Sequence, residues 1–395
     1  MKLLHTSDWH LGQNFFGKSR EEEHRLFLEW LLEIIEKEDV DTLIVAGDIF
    51  DTATPPNYAL ELYYNFLTKL QKSKCENIII TAGNHDSIAT LKAPKQLLKA
   101  LNIHVITSGD ESEEELIPIY KDKELQAVVC AVPFLRDYVV RQALSSQSFQ
   151  EKESALTKGI KEHYKKLHKR AEAVRENKDI PLIATGHLTV LGSTQSDSER
   201  EIYIGTTLAL DGSFLGENFD YVALGHLHRN QRAGADNVRY SGSPIAMSFS
   251  EAKRSKKVNI VSFSGKNLQL KEVDIPCFRE LLVLRGDGEH VLKALETIED
   301  KESWVEVELN DVNPLYANQR IRERAKELGI TLLAVKIDKE ANKSQQEQRH
   351  IMSLDEVTPL EVFERRMQED GIEDEALKKT LVTHFKHIVA EVQKG

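Results

Sequence analysis

The chain has 395 residues, of which 41% are hydrophobic, and carries a net charge of −12. This length predicts two or three domains. No apolar stretch is long enough to span a bilayer, and the amino terminus becomes polar too early for a signal peptide. The three cysteines, Cys75, Cys130 and Cys277, are widely spaced, which favours a reducing cytoplasm over a disulfide framework or a thiolate zinc site. The acidic charge weakly disfavours nucleic acid as a partner.

Apolar runs typical of buried strands alternate with helical patterns in the first 275 residues. Strands are predicted at Lys2–Thr6, Thr42–Ala46, Ile78–Ala82, Leu182–Thr185, Tyr221–Leu224 and Val258–Phe263. Helices are predicted at Arg20–Glu36, Pro56–Leu70 and Thr90–Leu101. The early β-α-β-α-β order predicts an α/β fold, and the shorter runs after residue 180 predict a mixed sheet or two stacked sheets.

A long helical pattern lies between Gln147 and Asn177, with one apolar face and one basic face. The basic face carries Lys158, Lys161, Lys165, Lys166, Lys169, Arg170 and Arg175. A solvated surface helix is the simpler interpretation of this pattern, and contact with a DNA backbone is the alternative.

Residues 276–338 have a second, shorter β-α-β-α-β pattern. The predicted elements are Phe278–Arg285, His290–Ile298, Trp304–Leu309, Pro314–Lys326 and Thr331–Ile337. Because this segment has no cluster of potential ligands, we predict a capping domain at 276–338 after a main domain at 1–275. A polar linker at 339–350 and two amphipathic helices within 351–395 follow. Those helices have no core of their own, so they either fold back or bind a partner.

Potential metal ligands follow the predicted strands at five places. The ligands are Asp8, His10, Asp48, Asn84, His187, His226 and His228, and most of them come directly after a glycine. Strand ends gather distant residues around one pocket. Seven ligands are too many for one ion and suit two ions that share a carboxylate. Mixed nitrogen and oxygen ligands favour Mn²⁺, Fe²⁺ or Zn²⁺ over Mg²⁺, and two ions roughly 3.5–4 Å apart suit an in-line displacement at phosphorus.

His85 and Asp51 lie beside these ligands in the sequence. An imidazole at position 85 would stabilise charge on the reacting phosphate or protonate its leaving oxygen. Asp51, three residues after Asp48, would orient that imidazole. The residues alone leave three functions open: a nuclease, a phosphodiesterase or phosphatase for small molecules, and a scaffold without catalysis.

The five segments that contain these ligands, taken in their order along the chain, resemble the motifs of the calcineurin-like metallophosphoesterase superfamily. The wider matches resemble the SbcD family of bacterial exonuclease subunits, and they occur at 5–14, 46–51, 82–87, 184–188, 202–205, 223–228, 240–244 and 362–366. This resemblance implies a two-sheet β-sandwich flanked by helices, a small α+β capping domain and a C-terminal helix-loop-helix.

The resemblance also implies a ligand set and a chemistry. One ion would be held by Asp8, His10, Asp48 and His228, and the other by Asp48, Asn84, His187 and His226. Both ions would be divalent, with Mn²⁺ expected, and His85 would act on the phosphate with support from Asp51. Such proteins are ATP-dependent exonucleases on double-stranded DNA ends and endonucleases on single strands. They serve DNA repair, recombination and replication.

Partners follow from the same resemblance. The implied complex contains two copies of this chain as a homodimer and two SbcC ATPase subunits, with the C-terminal helices bound to the SbcC coiled coil. The expected location is the cytoplasm, on the nucleoid. Residues Gln13, Asn14, Lys18 and Arg20 are predicted DNA contacts, because they follow the Asp8 and His10 block. The basic segment 253–257 is either a further phosphate contact or a solvated turn.

Overall fold

The computed structural model describes residues 1–109, 114–136, 149–194, 199, 210–337, 378, 381–382 and 384–385. Its strands are β1 (Lys2–Thr6), β2 (Asn14–Phe15), β3 (Lys18–Ser19), β4 (Thr42–Ala46), β5 (Asn77–Thr81), β6 (Ile103–Ile106), β7 (Leu116–Lys121), β8 (Glu124–Cys130), β9 (Leu182–His187), β10 (Tyr221–Gly225), β11 (Gln231–Ala233), β12 (Ala235–Tyr240), β13 (Lys256–Ser264), β14 (Asn267–Ile275), β15 (Leu281–Gly286), β16 (Trp304–Leu309) and β17 (Thr331–Ile337). Its helices are α1 (Glu21–Lys37), α2 (Asn57–Leu70), α3 (Ile88–Lys92), α4 (Lys95–Ala100), α5 (Phe149–Arg175), α6 (Gly212–Asn218), α7 (Gly288–Glu296) and α8 (Pro314–Glu327).

Two six-stranded sheets face each other. Their strand orders are β14-β13-β1-β4-β5-β6 and β11-β12-β10-β9-β8-β7. The layer between the sheets is apolar and includes Leu3, Ile44, Ile183 and Ala223. Helices α1 and α2 cover the outer face of the first sheet, and α5 covers that of the second. The predicted α/β sandwich with flanking helices is confirmed, and burial on both faces explains why the central strands are continuous apolar runs.

The two sheets are parallel at their centres. Strands β1, β4, β5 and β6 are parallel neighbours in the first sheet, and β8, β9, β10 and β12 are parallel neighbours in the second. Crossover connections are therefore needed between such neighbours, and helices α1 and α2 supply two of them. The helix predicted at 90–101 is instead two short helices, α3 and α4. Pro94 lies between them, where its missing N–H cannot continue a helix.

A third sheet, β15-β16-β17, is parallel and three-stranded. Helices α7 and α8 pack on one face of it and enclose an apolar core around Val291, Val305, Val307 and Ile321. The linker predicted at 339–350 lies outside the described residues. Of the predicted C-terminal helices, only residues 378, 381, 382, 384 and 385 are described, and they are helical. Nowhere in the described part of the chain is a helix both long and apolar enough for a membrane crossing.

Candidate metal centre

The five blocks of potential ligands meet at one edge of the sandwich, where the parallel strands of both sheets end. Asp8 and Asp48 follow neighbouring strands, and the loops are joined by main-chain hydrogen bonds. The Asp8 N–H donates to the Gly47 carbonyl at 3.0 Å, and the His10 N–H donates to the Asp48 carbonyl at 3.0 Å. The second sheet contributes His187 at the end of β9 and His226 directly after β10. The structure therefore brings residues from positions 8 to 228 into one place.

The backbone at this edge is strained. Asp8, His10, Asp48 and His226 have positive φ angles of 52°, 46°, 49° and 99°. Residues other than glycine rarely adopt these angles, and such strain costs on the order of 1–3 kcal/mol per residue. Gly47, with φ of 90°, also leaves the space that the His187 imidazole fills, because a Cβ there would overlap the ring. The glycines that precede the ligands thus permit close approach between the two sheets.

The side chains form two clusters of buried ligand atoms. In one cluster, atoms of Asp8, His10 and His228 lie within 4.8 Å of one another. In the other, atoms of Asp48, His187 and His226 satisfy the same distance. Asp48 also connects the clusters, since its Oδ2 lies 3.7 Å from His10 Nε2 and 3.2 Å from His187 Nε2. Asn84 joins the second cluster, with its Oδ1 2.9 Å from His187 Nε2.

The protonation of His187 indicates a place for a cation. Its Nδ1 lies 3.1 Å from the Ala46 carbonyl, which can only accept, so Nδ1 carries the proton and Nε2 faces Asp48 and Asn84. Burial opposes charging this ring, but the Asp48 carboxylate outweighs burial and raises the pKa of His187 to about 9. A proton is thus held between two groups that would both ligate a metal ion, and binding an ion would displace it.

His10 and the two carboxylates also fit a metal centre. Nε2 of His10 is buried and has no hydrogen bond partner among the described residues, although a carboxylate lies 3.7 Å away. Burial raises the pKa of Asp8. Burial alone would also raise the pKa of Asp48, but the imidazoles of His187, His10 and His85 hold it well below its usual value. A buried set of mixed N and O ligands without sulfur suits divalent transition metals.

His85 lies at the partly exposed side of the first cluster, with its ring centroid 4.8 Å from that of His10. The main-chain N–H of His85 donates to the Asp48 carboxylate at 2.9 Å. The ring Nδ1 of His85 donates to the main-chain carbonyl of Asp51 at 2.7 Å. The Asp51 carboxylate lies 3.2 Å from His10 Nδ1. Asp51 therefore contacts His85 through its main-chain carbonyl, and ligand atoms of His10, the Asp51 carboxylate and His85 all lie within 4.8 Å of one another.

Asp86 is a residue of this site that the sequence reasoning missed. Its buried carboxylate accepts hydrogen bonds from the N–H groups of Ile49, Phe50 and Gly83 at 3.2, 3.0 and 2.8 Å. These donors belong to the loop that carries Asp48 and the loop that carries Asn84, so Asp86 holds the two loops together. The sequence feature that could have identified Asp86 is its position directly after Asn84 and His85.

The predicted DNA contacts divide into exposed and buried residues. Asn14 and Lys18 are exposed, and Gln13 and Asn14 line a cavity of about 580 Å³ between the β2–β3 hairpin and the third sheet. Arg20 is 1% exposed. Its guanidinium binds Glu23 and the Ala246 carbonyl and lies 5.7 Å from the ring centre of Trp304 in β16. The prediction that Arg20 contacts DNA is therefore wrong, because Arg20 is buried where the third sheet meets the sandwich.

The fold and the paired ligand clusters define a metal-dependent phosphoesterase. A family model described as calcineurin-like phosphoesterase matches residues 1–230. A second, described as the type 5 capsule protein repressor C-terminal domain, matches residues 277–370. The SbcD subunit of nuclease SbcCD from Escherichia coli (strain K12) is 39% identical over 384 residues, which are 95% of this chain and 94% of that protein. The protein of the same name from Bacillus subtilis (strain 168) is 34% identical over 324 residues, 80% of each chain.

The chain belongs to the calcineurin-like phosphoesterases and, within them, to the SbcD nucleases. It is accordingly a metal-dependent nuclease, as the sequence predicted. The resemblance on which that prediction depended is confirmed.

Proposed function

We propose that this chain hydrolyses phosphodiester bonds of DNA with two divalent ions, as the nuclease subunit of a complex with an SbcC ATPase. The observation that carries the proposal is the pair of buried ligand clusters on either side of Asp48. One ion would be held by Asp8, His10, Asp48 and His228, and the other by Asp48, Asn84, His187 and His226. Mn²⁺ is the proposed ion, since it accepts both imidazole and carboxylate ligands.

The bound ions would supply Lewis-acid stabilisation of the charge that develops at phosphorus. The residues of the chain prepare the site for this chemistry. Asp86 keeps the loops of Asp48 and Asn84 in register, and the Ala46 carbonyl fixes the ring orientation of His187.

His85 is the proposed general acid. Because its Nδ1 donates to the Asp51 carbonyl, its Nε2 is the nitrogen that can carry a second proton toward the phosphate. A proton delivered from Nε2 would neutralise the leaving 3′ or 5′ oxygen of the cleaved strand. The partial exposure of His85 keeps it within reach of a polymeric substrate.

The proposed partners are an SbcC ATPase and DNA, in a complex with two copies of each subunit in the bacterial cytoplasm. The names of the E. coli and B. subtilis relatives support an SbcCD complex. Double-stranded ends and hairpins are the proposed substrates.

The test is cleavage of end-labelled duplex and hairpin DNA with Mn²⁺, by the full-length chain with and without its co-purified ATPase and ATP. We expect metal-dependent cleavage that the ATPase and ATP extend along the duplex. Rapid hydrolysis of a small nucleotide ester without cleavage of either DNA would contradict the proposal and favour a small-molecule phosphodiesterase.

A further inference from the structure

A second cavity, of about 380 Å³, lies beside the metal centre and shares His228 with it. The far wall comes from the segment after the short 3₁₀ turn at Phe249–Glu251 and from the start of β13. This is the basic segment for which the sequence left a phosphate contact and a solvated turn as equal interpretations. The structure turns the segment into one side of a concave site.

The cavity has an excess of positive charge. Five cations line it, Arg229, Lys253, Arg254, Lys256 and Lys257, against two carboxylates, Glu251 and Glu272. Both carboxylates already have cationic partners: Lys256 Nζ lies 2.5 Å from Glu251, and Lys257 Nζ lies 2.8 Å from Glu272. The three remaining cations are exposed and form no side-chain ion pair or hydrogen bond with any described residue. The chain as a whole is acidic, with a net charge of −12, so the positive charge of this cavity is a local feature.

The cavity is also coupled to the metal centre by buried contacts. Lys256 donates to the His228 carbonyl at 3.1 Å and to Ser243 Oγ at 2.8 Å. Glu251 is 2% exposed and lies 3.7 Å from His228 Nδ1. Buried contacts thus hold Lys256 and Glu251 in place, while Arg229, Lys253 and Arg254 are the exposed cations of the cavity. Exposed cations in a concave site suit an anionic group that enters from solvent.

We infer that this cavity binds a phosphate of the DNA substrate outside the metal centre, with Arg229, Lys253 and Arg254 as the contacting cations. The inference rests on the proposed function, since it assigns a further contact to the same substrate. Its position next to His228 makes it a site for a phosphate near the scissile one. That phosphate is either an internal phosphodiester or a terminal 5′-phosphate, and both offer the anionic oxygens that arginine and lysine recognise.

The test compares two triple variants of the full-length chain. The first is Arg229→Gln, Lys253→Gln and Arg254→Gln. The matched control is Lys37→Gln, Lys69→Gln and Lys72→Gln, which removes three exposed cations beside the opposite ends of the strands. Binding of a fluorescent duplex is measured against salt concentration in EDTA, with 5′-phosphate and 5′-hydroxyl ends. Hydrolysis of bis(p-nitrophenyl) phosphate with Mn²⁺ reports on the metal centre alone.

We expect the first variant to raise the Kd about tenfold and to reduce the salt slope by roughly 0.9 for each phosphate that it no longer neutralises. Hydrolysis of the small diester stays at the wild-type rate, and the control variant binds like wild type. Weaker binding confined to 5′-phosphate ends identifies a terminal phosphate, and equally weak binding with both ends identifies an internal one. An unchanged Kd and slope in the first variant would overturn the inference and leave the proposed function intact. A wild-type chain that hydrolyses the small diester but neither binds nor cleaves DNA would overturn the proposed function itself.

Discussion

The two ends of the paired sheets carry similar residues with different physical consequences. At the amino ends, Asp39 and Lys74 form an ion pair whose side chains are 67% and 74% exposed. At the carboxyl ends, Asp48 and His187 approach to 3.2 Å, but their side chains are 2% and 0% exposed. Water screens the first pair, whereas burial makes the second pair strongly interacting. The comparison shows that desolvation, rather than the presence of carboxylates, distinguishes the site.

The largest effect on activity is expected from substituting Asp48 at the carboxyl ends of the strands. Asp48→Asn removes a charged ligand from both ion positions, and losing several kcal/mol of charge stabilisation corresponds to about a 10⁴-fold fall in kcat/KM. Metal analysis after Mn²⁺ incubation should show fewer than two ions per chain. The control is Asp39→Asn at the amino ends, which should retain activity and metal content. Full metal content in Asp48→Asn would contradict the shared-ligand assignment.

His85→Ala should separate metal binding from catalysis. Because His85 belongs to neither ligand set, the variant should bind Mn²⁺ like wild type while kcat falls about 10²- to 10³-fold. Single-turnover cleavage of duplex DNA measures the chemical step. A variant that cleaves at the wild-type rate would exclude His85 as the general acid.

Asp86→Asn tests whether one buried carboxylate organises the carboxyl-end loops. The amide offers one acceptor and turns its NH₂ toward main-chain donors, so we expect Mn²⁺ affinity to fall by about 10- to 100-fold. Titration calorimetry measures the affinity, with thermal unfolding as a check on folding. The matched control is Asp220→Asn, since Asp220 accepts from the Leu182 N–H at 2.7 Å at the start of β9. Equal Mn²⁺ affinity in both variants would argue against the role of Asp86.

Two buried histidines, His5 and His24, should destabilise the fold at acidic pH because burial opposes their protonation. Burial lowers the pKa of both His5 and His24 to about 3. The unfolded chain binds protons at these positions below a pH of about 6.5, whereas the folded chain does not, so protons favour unfolding between pH 6.5 and 3. When the pH is lowered from 7.5 to 5.5, each histidine should reduce the free energy of unfolding by about 1.4 kcal/mol.

The His24→Leu variant isolates the contribution of His24 to the pH dependence of the unfolding free energy. The change in packing affects stability equally at both pH values, so it cancels from the difference between them. Urea unfolding at pH 7.5 and 5.5 should show a pH difference smaller than wild type by about 1.4 kcal/mol. The same pH difference in variant and wild type would mean that His24 titrates in the folded chain.

Lys74→Met at the amino ends gives the smallest expected effect. Both members of the Lys74 and Asp39 pair are solvent-exposed, so the urea midpoint should stay within the error of the measurement. A clear fall in the midpoint would show that the exposed pair stabilises the fold and would weaken the contrast between the two ends.

Much of this site was predictable because its signals are local. Buried parallel strands appear as apolar runs, and Asp8, Asp48 and His187 stand directly beyond such runs. The bounds of β1, β4 and β16 agree with the prediction to the residue. The order of the blocks then identifies the family, which local physics alone does not.

The remaining features depend on contacts distant in sequence. Arg20 looks like a surface cation beside a ligand block, but Trp304 and Ala246 bury it from more than 200 residues away. The cavity beside His228 likewise forms only when 228–230 meets 251–257. No periodicity predicts such meetings, because they depend on how the third sheet and β13 pack.

The central claim is that two ions share Asp48. Anomalous diffraction from a crystal soaked in Mn²⁺ tests it most directly. The account predicts two peaks roughly 3.5–4 Å apart, one beside Asp8, His10 and His228 and the other beside Asn84, His187 and His226, with Asp48 in contact with both. A single peak, or two peaks of which only one contacts Asp48, would contradict it.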